Sequence, residues 1–186
     1  MIDYSDDIDE TLNTPEEKFY NMLKSYAMQM PLSDRMAYLV RLLWGSKYTW
    51  GAEVIGNTDC SGSVTFALYL MGYNIRVTAH GLLHLICDEI RRSDARPGDL
   101  AFFWREDGSR VKHVAVFSDN GVLMNAASEF EDVPYEVEVK FRAMQTPEFG
   151  RVNWSKARDI SASDAHSWSL DSKLKPLFGL FAGGVG

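Results

Sequence analysis

"NTDCSGSVTFALYLMGY", Asn57 to Tyr73, decides the fold. A cysteine stands between an aspartate and a serine, a glycine follows, and the run from Val64 to Met71 is apolar almost all round. That pattern predicts a buried helix that begins near Cys60 and ends at Gly72. A thiol in the first turn of such a helix meets unpaired backbone N–H groups and the positive end of the helix dipole. Both favour the thiolate, and the same N–H groups can hold an oxyanion if the sulfur attacks a carbonyl. Asp59 is suited to cap the helix, and Gly62 keeps its first turn unobstructed.

Outward from this helix, the N-terminal side reads as helical. "TPEEKFYNMLKSYAMQM" has Thr14 as a cap, Pro15 in the first turn and Glu17 to complete a capping box. Phe19, Met22, Leu23, Tyr26, Ala27 and Met30 form its expected apolar stripe. "SDRMAYLVRLLWG" predicts a second helix capped by Ser33, with Met36, Leu39, Val40 and Leu43 inward and Gly45 as its stop. "KYTWGAEVIGNTD" breaks the period and reads as a loop that delivers Tyr48 and Trp50 toward Cys60. A fourth helix is expected from Ala79 to about Ile90.

Strands follow. "RPGDLAFFW" turns at Pro97–Gly98 and enters one. "VKHVAVFSDNGVLMNAAS" predicts a hairpin around Asn120–Gly121, and "YEVEVKFR" alternates as a strand. Helices first and an antiparallel meander after them give an α+β class. The expected organisation is an acidic arm over 1–13, one domain over 14–160, and an apolar, glycine-rich extension over 161–186.

The chain has 186 residues, 19 Lys and Arg against 26 Asp and Glu, and a net charge of −7. This balance argues against a nucleic-acid backbone as the main partner. The acidic N-terminus has no apolar core of a secretory signal, and no stretch is apolar enough to span a bilayer. The expectation is synthesis in the cytoplasm, with delivery by another agent if the protein acts elsewhere. Two cysteines, Cys60 and Cys87, form no disulfide framework. His80 and His84 are spaced to share a helix face, but no third metal ligand stands at a fitting distance in sequence. No cofactor or metal is expected. Cys87, in "LLHLICDEI", reads as a core residue.

A thiol nucleophile needs a base. His113, in the strand "HVAVF", is the leading candidate and His80 the reserve. An imidazole base needs an orienting group, and Asn125 lies on the next strand. The hairpin register decides whether they meet. A two-residue turn would put Asn125 on the opposite face. A three-residue loop, Asp119–Asn120–Gly121, pairs Asn125 with Ala115 and places His113 and Asn125 as diagonal neighbours on one face. A Cys60–His113 ion pair would keep activity across neutral pH and lose it in acid.

Together "YTWG" (48–51), "DCSG" (59–62), "RVTA" (76–79), "RPGDLAFF" (96–103), "HVAVF" (113–117) and "MNAA" (124–127) resemble the NlpC family of cell-wall cysteine peptidases. The resemblance implies a papain-like fold with the nucleophile at a helix N-terminus on an antiparallel sheet. It implies hydrolysis of an amide in peptidoglycan stem peptides, commonly between D-glutamate and a diamino acid. Cys60, His113 and Asn125 would be catalytic; Tyr48, Trp50, Asp59 and Ser61 would meet substrate, with Asp59 and Ser61 receiving its free amine. Two positions depart from the pattern: Ala52 replaces a second glycine after the tryptophan, and Ser63 follows "DCSG" in place of a bulky apolar residue. Competing readings on the same fold are an N-acetylmuramoyl-L-alanine amidase or other amide hydrolase, and a non-catalytic interaction module. The absence of a recognised signal suggests a phage-encoded or secretion-delivered member, with a phage-tail or delivery partner.

Overall fold

A computed structural model of the chain describes residues 15–118, 122–127, 135–138 and 147–163. The expected acidic arm, the loop 119–121 and most of the C-terminal extension lie outside them. Two helices come first, α1 (Pro15–Met28) and α2 (Leu32–Arg41). A small sheet follows, made of β1 (Lys47–Tyr48), β2 (Glu53–Val54) and β3 (Asn57–Thr58), and it leads directly into α3 (Cys60–Leu70). After α3 come a short turn α4 (Ala79–Gly81), a π-type turn over Leu82–Ile86, and then β4 (Cys87–Ile90), β5 (Leu100–Trp104), β6 (Val111–Phe117), β7 (Val122–Asn125), β8 (Tyr135–Glu138), β9 (Glu148–Val152) and α5 (Trp154–Ala162).

The six strands β4 to β9 form one antiparallel sheet in the order β4-β9-β5-β6-β7-β8. The class is α+β, as the order of patterns predicts. The meander is interrupted: β9 returns from far along the chain and inserts between β4 and β5. Gly150 permits that insertion. A Cβ there would lie 3.0 Å from both Cys87 Cβ on β4 and the Phe102 ring on β5. Arg151 then ties β9 to the start of β5 through a fork onto Asp99, with Nε to Oδ1 at 2.9 Å and an Nη to Oδ2 at 2.8 Å. Asp99 is buried, so the bidentate pairing satisfies a carboxylate that would otherwise be costly.

The core lies between α3 and the sheet, with α1 and α2 packed outside α3. Val64, Phe66, Ala67, Leu68 and Leu70 of α3 are buried, as its all-round apolarity predicts. Truncating Phe66 to alanine would cost about 3–5 kcal/mol by the usual scale for such cavities. The stripe of α2 is also as expected: Met36, Leu39, Val40 and Leu43 are all buried.

Three local expectations are corrected. The line that α1 buries is Tyr20, Leu23 and Ala27, while Phe19, Met22 and Tyr26 remain exposed. The burying face is rotated because Tyr20 stacks edge-on against Phe66 of α3. The second helix starts at Leu32 after Pro31, whose extended φ of −53° and ψ of 141° sets the start without a side-chain cap; Ser33 lies inside the helix. Cys87–Ile90 is a strand, not the end of a fourth helix. Its apolar spacing fits a helix, but pairing with β9 offers four register partners instead.

Gly62 has a stricter role than an open first turn. The carbonyl of Ala52 accepts the Asp59 N–H at 2.9 Å and so presses against the helix. A Cβ on Gly62 would lie 1.9 Å from that oxygen. Gly62→Ala should therefore lower unfolding stability by about 1–3 kcal/mol through this backbone clash. Chemical denaturation would measure it, and an unchanged midpoint would contradict the packing described.

Candidate active site

Asp59 assembles the region. It occupies the N-cap of α3, and its Oδ1 accepts the Gly62 N–H at 2.7 Å and the Ser61 hydroxyl at 3.1 Å. Its Oδ2 accepts the Gly51 N–H at 2.6 Å. One buried carboxylate thus joins the helix start to the loop after β1. Gly51 has a φ of 76°, a conformation that suits glycine and turns Trp50 outward. A second clamp holds the same loop: Arg76 donates through Nε to the buried Glu53 at 2.5 Å and through an Nη to the Gly51 carbonyl at 3.0 Å. Neither Arg76 nor Glu53 stands out in sequence as a support, because the pairing crosses from the loop to the segment after α3.

Ala52 makes a backbone contact in place of the second glycine, donating to the Thr49 carbonyl at 3.0 Å. Ser63 is buried and its hydroxyl donates to the Cys60 carbonyl at 2.8 Å, so the departure from a bulky residue is absorbed inside the helix.

On the sheet, His113 and Asn125 come together as the odd-length register predicts. Asn125 pairs with Ala115, and the Ser118 N–H meets the Val122 carbonyl, which leaves three residues, 119–121, between the strands. The Asn125 Oδ1 lies 3.0 Å from His113 Nε2. The Asn125 amide nitrogen donates to the Leu123 carbonyl at 3.1 Å, so its oxygen is the atom that faces the ring. An oxygen there can only accept. His113 is therefore a donor at Nε2, and the neutral ring carries its lone pair on Nδ1.

Cys60 meets this strand. Helix α3 packs against β6, and the backbone N–H groups of Val114, Ser61 and Cys60 itself act on the thiol and favour its charged form. They do not prevail. Burial first, and the Asp59 carboxylate second, push the thiol above its ordinary value of 9.0. The helix-start N–H groups act as the sequence leads one to expect, and burial, which sequence does not show, opposes them. Burial works against the thiolate, and the Asn125 amide brings His113 no negative charge, so the surroundings favour a thiol beside a neutral imidazole. Cys87 is also pushed up, by burial and then by Asp88 and Asp99.

Cys60 is only 6% exposed, but it lines a cleft of about 840 Å³. Trp50, Asp59, Ser61, Arg110 and Lys112 are among the walls, and Trp50 stands 82% exposed at the rim. Tyr48 is half-buried beside Thr58, two residues before Cys60, and does not line the cleft. His80, the reserve base, is engaged elsewhere: its Nδ1 accepts the Val111 N–H at 3.3 Å, and its ring lies 4.3 Å from that of His84. Among the described residues no three His, Cys, Asp or Glu side chains are grouped to hold a metal.

The model of the NlpC/P60 family matches residues 45–149, more than half of the chain. The chain belongs to the NlpC/P60 family. The probable endopeptidase p60 of Listeria welshimeri is 34% identical over 82 residues, which is 44% of this chain and 15% of that protein. The probable endopeptidase Rv2190c of Mycobacterium tuberculosis is 27% identical over 84 residues, 45% of this chain and 20% of its own. The chain thus spans a fifth or less of the length of these relatives. Among solved structures, NlpC1 of Trichomonas vaginalis superposes with a TM-score of 0.56 at 25% identity, covering 64% of this chain and 43% of that one. RipD of Mycobacterium tuberculosis, described as a non-catalytic NlpC/p60 domain protein adapted to peptidoglycan binding, superposes with a TM-score of 0.53 at 19% identity, over 67% of this chain and 99% of that one. The fold is the papain-like one of the family, with the cysteine at the start of a helix on an antiparallel sheet. The family holds proteins named endopeptidases and at least one non-catalytic member.

The site's protonation state is testable. A raised thiol pKa means less thiolate at a given pH, so iodoacetamide labelling of Cys60 should keep accelerating through and above pH 9. A plateau reached below pH 7 would show an ion pair instead. Asn125→Asp places a carboxylate on His113 and should move the labelling profile to lower pH. Cys60 should label before Cys87 in both proteins.

Proposed function

We propose that the chain is a cysteine hydrolase that cuts an amide within peptidoglycan stem peptides, at the bond between D-glutamate and a diamino acid. The observation that carries the reading is the His113–Asn125 pair on β6 and β7, beside a helix that opens with Cys60 at the wall of a cleft. Relatives named probable endopeptidases support the reaction class.

The steps follow from the resting protonation. Substrate enters the cleft and its scissile carbonyl meets the Cys60 sulfur. As the sulfur attacks, its proton passes to Nδ1 of His113, and the Nε2–H bond to Asn125 keeps the ring in plane. Charge that develops on the carbonyl oxygen is met by N–H groups at the start of α3. His113 returns the proton to the leaving nitrogen, and the amine departs from a thioester on Cys60. Water, deprotonated by His113, then releases the acyl half. Because the pair starts neutral, the proton moves during attack rather than before it.

Asp59 has a double role in this reading. Its two oxygens organise the loop and the helix, and they also give negative charge to the acyl side of the cleft, where a free stem-peptide amine would dock beside Ser61. Trp50 offers an exposed ring to the same half of the substrate.

The fold likeness to RipD favours one alternative, a peptidoglycan-binding module without turnover. The experiment is digestion of purified peptidoglycan by the native chain and by Cys60→Ala, with mass spectrometry of the released muropeptides. The native chain should free fragments ending in D-glutamate, and Cys60→Ala should lose about 10⁴-fold or more of that activity while still folding. Loss of the bond between sugar and L-alanine instead would make the protein an amidase. Identical, undigested wall from both proteins would support the binding module.

A further inference from the structure

The hairpin from β5 to β6 carries a feature that the reaction above does not use. Phe103 pairs with His113, but the next partner of β5, Trp104, pairs with Val111, so Lys112 is an extra residue with no partner. It is a β-bulge placed one residue before the proposed base. In an unbroken strand consecutive side chains alternate between faces. Here Arg110, Val111 and Lys112 all line the cleft that contains Cys60. The His80 ring braces the bulge by accepting the Val111 N–H. Arg105, across the hairpin, lines the same cleft, and its N–H bonds the Arg110 carbonyl at 2.9 Å.

The result is a cationic wall in a chain whose net charge is −7. Of the hairpin's own acids, Asp107 feels Arg105, but neither Asp107 nor Glu106 pairs with Arg110 or Lys112. Glu106 and Asp107 are not among the residues lining the cleft, and the Asp107 carboxylate is taken by the Ser109 N–H and hydroxyl. Among the described residues no carboxylate forms a salt bridge with Arg110 or Lys112.

The position of this wall gives its use, on the reading of the reaction proposed above. His113 must hand its proton to the leaving nitrogen, so residues that adjoin it on β6 border the leaving half of the substrate. Asp59 and Ser61 belong to the acyl half. We propose that Arg110 and Lys112, with Arg105, form an anion subsite for the side-chain carboxylate of a diaminopimelate residue on the leaving side, and thereby select it over lysine. Diaminopimelate ends in a carboxylate beside its amine, which the cations attract. Lysine ends in an ammonium alone, which they repel.

The test is binding of L-Ala-γ-D-Glu-diaminopimelate and L-Ala-γ-D-Glu-L-Lys to Cys60→Ala, measured by calorimetry at low salt. The diaminopimelate peptide should bind about tenfold or more tightly, the scale of charge-assisted hydrogen bonds to one carboxylate. The preference should shrink at 0.5 M salt, because the cations are exposed. Adding Arg110→Gln and Lys112→Gln should erase it; the single changes, each with a circular dichroism melt, should each remove part of it should the combined variant not fold. Equal affinity for the two peptides, a preference that survives these changes, or binding of neither peptide would overturn the subsite. Digestion of whole peptidoglycan by the native chain separates the two claims. Cleavage with no preference for diaminopimelate removes the subsite alone, and no cleavage removes the reaction beneath it as well.

Discussion

The carboxylate of Asp59 is the constraint on which the site depends. It is buried, and three donors converge on it: the N–H of Gly62, the hydroxyl of Ser61 and the N–H of Gly51. Those donors come from two different elements. The carboxylate therefore fixes the helix start and the loop that forms the cleft rim as one unit, with Cys60 between them. The same charge has a cost for the chemistry. Beside a half-formed thiolate it is repulsive, and together with burial it holds the sulfur protonated. Position and reactivity are thus set against each other by one group. In the proposed reaction the His113 imidazole reconciles them, by taking the proton as the sulfur attacks.

Much of this was legible in the sequence because it rests on local chemistry. The all-round apolar run after Cys60 allows only a buried helix. The hairpin register followed from counting: an odd loop was required for His113 and Asn125 to share a face, and Ala115 left the space. What escaped the sequence depends on contacts between distant segments. β9 is short and contains Gly150, so it lacks a strand pattern, yet that glycine is what lets it fit between Cys87 and Phe102. "LLHLICDEI" has helical spacing, and only the arrival of β9 makes its second half a strand. The upward push on the thiol is not legible in sequence, because a helix N-terminus is visible there and burial is not. The bulge at Lys112 was invisible for the same reason, since nothing in "RVKH" announces that two residues face one.

Membership of the NlpC/P60 family accounts for the frame, and the chain's own residues account for its particular chemistry. An asparagine in the third position accepts the imidazole N–H but brings no charge. In the proposed reaction that choice would favour a neutral cysteine–histidine pair, with proton transfer accompanying attack. The distribution of charge around the pair is uneven. Asp59 stands on the helix side of the cleft and a cationic hairpin borders the histidine, so a substrate with an amine at one end and a carboxylate at the other would meet opposite charges. Arg76 and Glu53 neutralise each other beneath the rim and leave that contrast undiluted.

The most direct measurement of the central claim is nitrogen NMR of the His113 ring in the native chain and in Cys60→Ala. The account predicts a neutral ring protonated at Nε2 at neutral pH, with an Nδ1 resonance that shifts when the sulfur is removed. A ring protonated at Nδ1, or an Nδ1 signal indifferent to the loss of Cys60, would show that the two side chains do not act as a pair.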